Sequence, residues 1–166
     1  MINFNKTALV LIDLQEGILK MDYAPYTAEN VVQNANKLID VFRKNNGFIA
    51  FVRVNFYDGK DVLQPNAMIS LPPKEGDDYS RFHHLLDKRD DDFVIDKRHF
   101  SAFVGTDLDL QLRRRGIDTI DCSWWCRNAY WRRYDSARCL SIKLQSVFCY
   151  RYDECTKRNA TSISNR

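Results

Sequence analysis

The sequence predicts an α/β fold, a three-layer sandwich on a mostly parallel, doubly wound sheet whose C-terminal part is disturbed. Three observations point there. Short apolar runs of strand length end in polar residues. Segments with apolar residues at helical spacing separate those runs. And the alternation of the two breaks off abruptly at Asp121.

Ala8-Leu9-Val10-Leu11-Ile12 is continuous and apolar, as a parallel strand buried on both faces must be, and Asp13 follows at its carboxyl end. Thr27 is a candidate N-cap for a helix with Val31, Ala35, Leu38, Ile39 and Phe42 on one face, and Gly47 is the expected C′ residue. Phe48-Ile49-Ala50-Phe51-Val52 is a second buried strand, so the first 52 residues form a β-α-β unit with a right-handed crossover. Residues 57–92 make a long connection rich in Asp, Pro and Gly, of a length that implies a lid or binding loop. Phe93-Val94-Ile95 is a short third strand leading to Asp96 and Lys97. Thr106, with Asp109 three residues on, reads as a capping box for a helix carrying Leu108 and Leu112 and stopped by Gly116. Ile117-Asp118-Thr119-Ile120 opens a fourth strand. Ligands of such sheets bind beyond the carboxyl ends of the strands, where Asp13 and Lys97 lie.

The 166 residues fit one domain, 1–166, and the start is too polar for a signal peptide, so a soluble cytoplasmic protein is expected, with no membrane partner. The net charge of +3 is uneven. Residues 121–158 hold eight Lys/Arg and four Asp/Glu, whereas the remainder carries 17 basic and 18 acidic residues. The basicity belongs to one odd segment and builds no nucleic-acid-binding face. All five cysteines and all three tryptophans lie between Cys122 and Cys155. They form no CxxC pair and stand near no histidine, which speaks against a zinc site. His83 and His84 are adjacent in a loop and are expected to point apart, so no metal is expected there either.

Three segments carry a resemblance. Ala8-Leu9-Val10-Leu11-Ile12-Asp13-Leu14-Gln15, Asp96-Lys97-Arg98-His99-Phe100-Ser101-Ala102-Phe103, and the stretch from Gly105-Thr106-Asp107-Leu108 to Gly116-Ile117-Asp118-Thr119-Ile120 resemble, in order and spacing, the isochorismatase-like hydrolase superfamily. The resemblance implies a hydrolase of a small-molecule substrate needing no cofactor. It makes Asp13 the general acid/base and Lys97 its charge partner. It leaves Gln15 and Phe103 open between lining the substrate pocket and serving as a turn residue and a core residue. Nicotinamidases in this superfamily carry an Asp-x-His metal site, but Val54-Asn55-Phe56-Tyr57-Asp58 has no histidine at that place. Family members are often oligomers, so a homo-oligomer is an open expectation.

After Ile120 the family pattern requires a strand, a glycine pair, a threonine and then a nucleophile position opening a helix. The written residues show none of these. The genetic code recovers them one base along. Tryptophan has the single codon TGG, so Trp124 running into Trp125 conceals GGT, a glycine, and Trp125 into Cys126 a second. The shifted codon at Asp121 is Ile or Thr, at Cys122 and Cys126 Val or Ala, at Asn128 Thr or Met, and at Tyr130 Ile or Thr. The nucleophile position falls on Trp131, whose shifted codon must again be glycine. Residues 121–158 therefore read as a frame-shifted segment, with the original frame resuming near Asn159, and the chain is expected to end short of the last family elements.

A glycine at the nucleophile position resembles the true isochorismatases, which split a vinyl ether and release pyruvate with an Asp acid and no covalent intermediate. The chain as written is then expected to be inactive. Two rival expectations stand beside this one: a cysteine amidohydrolase of the nicotinamidase type, and a non-catalytic scaffold or binding protein that keeps the fold.

Overall fold

The structure, a computed structural model, describes residues 2–20, 27–58, 60–61, 79–99, 101–124 and 145–148. Its elements in chain order are β1 (Thr7–Ile12), α1 (Glu16–Leu19), α2 (Ala28–Lys44), β2 (Phe48–Val54), β3 (Phe93–Lys97), α3 (Leu108–Arg114), β4 (Thr119–Trp124) and β5 (Gln145–Phe148). Five strands form one sheet in the order β3-β2-β1-β4-β5, and every neighbouring pair is parallel. The chain winds outward from β1 to β3, then crosses back to lay β4 on the other side of β1. That reversal is the point where doubly wound sheets open a crevice at their carboxyl edge.

Alternate residues of the central strands feed two cores. Ala8, Val10, Ile12, Ala50, Val52, Ile95 and Ile120 pack with Leu108 and Leu112 of α3. Leu9, Leu11, Ile49 and Phe51 pack with Val32, Ala35, Ile39 and Phe42 of α2. These are the three layers the sequence predicts. Each enclosed Leu, Ile or Phe contributes about 1.5–3 kcal/mol by leaving water.

Local details depart from the sequence reading. Thr27 caps α2 as expected, its hydroxyl accepting the Asn30 N–H at 3.3 Å. The buried stripe of α2 includes Val32, while Val31 and Leu38 only flank it. The left-handed residue after α2 is Asn46 (φ 52°), not Gly47. Gly47 answers a different demand: a Cβ there would stand 2.7 Å from a ring carbon of Phe42. The α3 capping box does not form. Asp107 occupies the N-cap, Thr106 bonds the Ala102 carbonyl at 2.6 Å, and Asp109 pairs with Arg113 one turn on. β2 runs two residues past Val52. β3 extends through Asp96 to Lys97, so the lysine is the last residue of a strand rather than part of the loop after it.

β4 continues to Trp124, beyond the break in the sequence pattern, and β5 adds to its far side over Gln145–Phe148. Parallel pairing uses only backbone N–H and C=O groups, so the change of residue types after Asp121 does not by itself prevent it. Among the described residues no helix is long and apolar enough to cross a membrane.

Candidate functional site

β1 ends in a sharp turn at Asp13, whose φ of 63° is left-handed. Asp is among the few non-glycine types that tolerate this conformation. The turn is fixed on both sides: the Asp13 N–H donates to the Val52 carbonyl at 2.9 Å, and the Gln15 N–H to the Asp13 carbonyl at 2.9 Å. The carboxylate therefore faces the crevice at the carboxyl edge. Lys97, at the end of β3 and 84 residues away in sequence, donates from Nζ to Asp13 Oδ2 at 3.0 Å. The lysine side chain is 1% exposed and that of the aspartate 12%.

Asp13 Oδ1 has no hydrogen-bond partner among the described residues. Burial pushes the Asp13 carboxyl above its ordinary value, and the Lys97 charge and hydrogen bond only partly oppose this. The pair thus combines a carboxyl inclined to hold a proton, one oxygen unengaged, and a cation in place to accept the anion once the proton has gone. Such a group can act as a general acid and recover as a base.

Gln15 is fully enclosed. Its Nε2 donates to the carbonyls of Val54 at 2.9 Å and Tyr79 at 3.1 Å, and its Oε1 accepts the Val54 N–H at 2.7 Å. Its amide is spent on the backbone. Phe103 is buried in the α3-side core with Ile12, Val52 and Ile95, and its N–H donates to Ser101 Oγ at 3.2 Å. Trp131 lies outside the described residues.

Beside the pair, Asp96 accepts from Arg53 Nε at 2.6 Å and Asn55 Nδ2 at 2.8 Å, tying the ends of β2 and β3 together. Partial burial raises the Asp96 carboxyl, but hydrogen bonds from Arg53 and Asn55 and the charges of Arg53 and Arg98 outweigh it and leave it lowered. Sequence reasoning missed this tie. The strand pairing of Arg53 with Asp96 is its only signal, and that register is known only from the structure.

The histidines require a correction. His83 and His84 do not point apart; their rings stack with centroids 4.5 Å apart. With Glu16 they bring three ligand-type atoms within 4.8 Å of one another. In this structure two of the imidazole nitrogens are engaged with protein groups. His83 Nδ1 accepts the Leu85 N–H at 3.3 Å, which puts the ring proton on Nε2. His84 Nδ1 faces Glu16 Oε1 at 2.8 Å, and the same oxygen takes the His84 backbone N–H at 2.9 Å. The trio pins residues 83–84 to the start of α1.

The fold and this pair define a class: a doubly wound, parallel α/β protein with an acid–lysine couple beyond the carboxyl ends of its strands. The sequence profile of the isochorismatase domain matches residues 7–121, and the chain belongs to that family. It is 51% identical over 122 residues to the uncharacterised isochorismatase family protein YwoC of Bacillus subtilis (strain 168). It is 44% identical over 121 residues to the uncharacterised family protein YecD of Escherichia coli O157:H7. Each match covers 72% of this chain but only 62% and 64% of the relative, so the chain spans less than two thirds of the curated proteins it resembles. An isochorismatase family protein from Burkholderia thailandensis superposes with a TM-score of 0.81 at 29% identity, covering 92% of this chain and 84% of that one. N-carbamoylsarcosine amidase from Thermoplasma acidophilum superposes with a TM-score of 0.67 at 25% identity, covering 95% and 92%.

Proposed function

We propose that this chain derives from a hydrolase that cleaves the vinyl ether of a small carboxylic metabolite, and that the frame-shifted residues 121–158 have removed the activity. The Asp13–Lys97 couple carries this reading: a buried carboxyl with raised proton affinity, one free oxygen and an ammonium at 3.0 Å. Asp13 in its protonated form gives the proton to the terminal methylene of the vinyl ether. The electron pair of the C=C bond forms the new C–H bond, leaving an oxocarbenium ion. Water adds to that cation, the hemiketal collapses, and pyruvate and an alcohol separate. Lys97 steadies the Asp13 carboxylate until a proton returns. Nothing in this sequence of steps calls for a cofactor, and the working location would be the cytoplasm.

Two observations support the frame reading. The family profile stops at residue 121, where the shifted codons begin. Asp121 is itself buried in the sheet beside Leu9 of β1, at a place where the shifted codon gives Ile or Thr. The intact mass of the expressed protein, or resequencing across codons 118–160, decides whether the shift exists in the molecule. Pyruvate release from isochorismate by a chain with the frame restored, lost in Asp13→Asn, tests the chemistry. General acids contribute roughly 10²–10⁴-fold, so a loss much smaller than that would sink the assignment.

The likeness to N-carbamoylsarcosine amidase favours one second reading, a cysteine amidohydrolase in which Asp13 takes a thiol proton. Activity abolished by iodoacetamide would select it over the vinyl-ether reading.

A further inference from the structure

Gln15 stands at the junction of three segments and touches each through the backbone. Its amide meets both the N–H and the C=O of Val54, as a neighbouring strand would, and reaches the Tyr79 carbonyl with its remaining hydrogen. Val54 is the register partner of Lys97 in the β2–β3 ladder. Lys97 bonds Asp13, and Asp13 is two residues from Gln15. The contacts close a ring: Asp13, Gln15, Val54, Lys97 and back to Asp13. A second set of contacts locks the same turn from outside. Gln15 and Phe82 form an antiparallel bridge, the Glu16 N–H donates to the Arg81 carbonyl at 2.9 Å, and the His83 N–H to the Leu14 carbonyl at 3.0 Å. The approach is so close that a Cβ on Gly17 would lie 2.8 Å from the Tyr79 Cα.

We propose that Gln15 is a positioning residue: its clamp on Val54 and Tyr79 fixes the left-handed turn at Asp13 and the register that brings the Asp13 carboxylate onto Lys97. The side chain is completely enclosed and both amide hydrogens are engaged, so it has no donor left for a substrate. Losing the clamp removes three part-buried hydrogen bonds to the backbone of Val54 and Tyr79, a cost the turn can lessen by moving toward water. The left-handed aspartate is the part of the turn under conformational strain, and it relaxes first.

This inference rests on reading Asp13 and Lys97 as the working pair, and its test needs no turnover. The carboxyl carbon of Asp13 is titrated by NMR in the full 166-residue chain, in Gln15→Met, which keeps the packing and drops the hydrogen bonds, and in Gln15→Leu, which drops them with a shorter apolar side chain. Phe42→Leu serves as a control that loosens the core on the α2 side. The expected result is a fall of the Asp13 midpoint toward the ordinary carboxylate range in both Gln15 variants as burial is lost, with no fall in Phe42→Leu. An unchanged midpoint in whichever Gln15 variant folds overturns the proposal. So does an equal fall in the control. If neither Gln15 variant folds while Phe42→Leu does, Gln15 is a folding element and the positioning role is overturned. Should Asp13→Asn leave hydrolysis intact in a frame-restored chain, the catalytic reading fails while the clamp stands.

Discussion

β1 and β4 lie side by side in the sheet, paired from Thr7–Thr119 to Ile12–Trp124, yet they are built from different material. β1 is buried along its whole length and apolar after its first residue. β4 begins the same way, with Ile120 fully buried, and then runs Asp121-Cys122-Ser123-Trp124. The backbone ladder accepts both, because hydrogen bonds between strands do not read side chains. Chemistry does read them. The carboxyl end of β1 delivers an aspartate in a controlled left-handed turn onto a buried lysine. The carboxyl end of β4 runs Ser123-Trp124, with Trp125 and Cys126 next in sequence, where the proposed original frame would place a glycine pair. On the frame-shift proposal, β4 would keep its place in the fold while no longer contributing to the site.

The largest effect that would break this contrast is functional. Restoring the frame across residues 121–158 is expected to raise pyruvate release from background to a readily measured rate, by roughly 10²-fold or more if the acid and its surroundings act together. Equal rates in the written and restored chains would mean that the second region was never needed.

Stability separates the regions next. Ile39→Ala empties a fully buried position of α2 and is expected to cost about 2–5 kcal/mol in chemical denaturation. Leu140→Ala, within the segment proposed to be frame-shifted, is expected on that proposal to stay within about 0.5 kcal/mol. A large cost at Leu140 would show that the segment packs as an evolved element. At the boundary, Asp121→Ile replaces a buried acid with one of the residues the proposed shifted codon allows. A gain of about 1 kcal/mol or more is expected, read as a higher denaturation midpoint at constant slope.

What was legible in the sequence follows the same line. β1 and the first part of β2 announce themselves because strand residues buried on both faces are apolar, and the partly buried edge strand β3 shows only the short run Phe93-Val94-Ile95. Asp13 and Lys97 were legible as strand-end residues in a family pattern, although their contact spans 84 positions. The clamp made by Gln15 was not legible, because its partners are backbone groups of Val54 and Tyr79, which carry no residue-type signal. The stacking of His83 on His84 was misjudged because adjacent side chains diverge in an extended strand but not in the turn they occupy. The α3 N-cap position falls one residue later, on Asp107, while the Thr106 hydroxyl both donates to the Ala102 carbonyl and accepts the Leu108 N–H at 3.4 Å.

The smallest effect distinguishes two acids at the ends of nearby strands. Burial raises Asp13, so the stability tied to its protonation is fully present below its ordinary value of 3.8 and is lost as pH rises through the folded midpoint. Asp96 is lowered on balance, its burial outweighed by Arg53, Asn55 and Arg98. Its contribution is present above 3.8 and fades as pH falls through its folded midpoint. Asp13→Asn should therefore gain on the parent chain as pH rises, whereas Asp96→Asn should lose most at neutral pH and approach the parent in acid. Asp96 is about a third exposed, and solvent screening holds its share to about 0.5–1 kcal/mol. Denaturation midpoints across pH 3–7 read both slopes, a window that runs from just below the ordinary value of 3.8 to neutrality. Slopes of the same sign would mean that Asp13 is held as an anion by Lys97. It would then be an ion pair of the scaffold, and the acid chemistry assigned to the first region would fall with it.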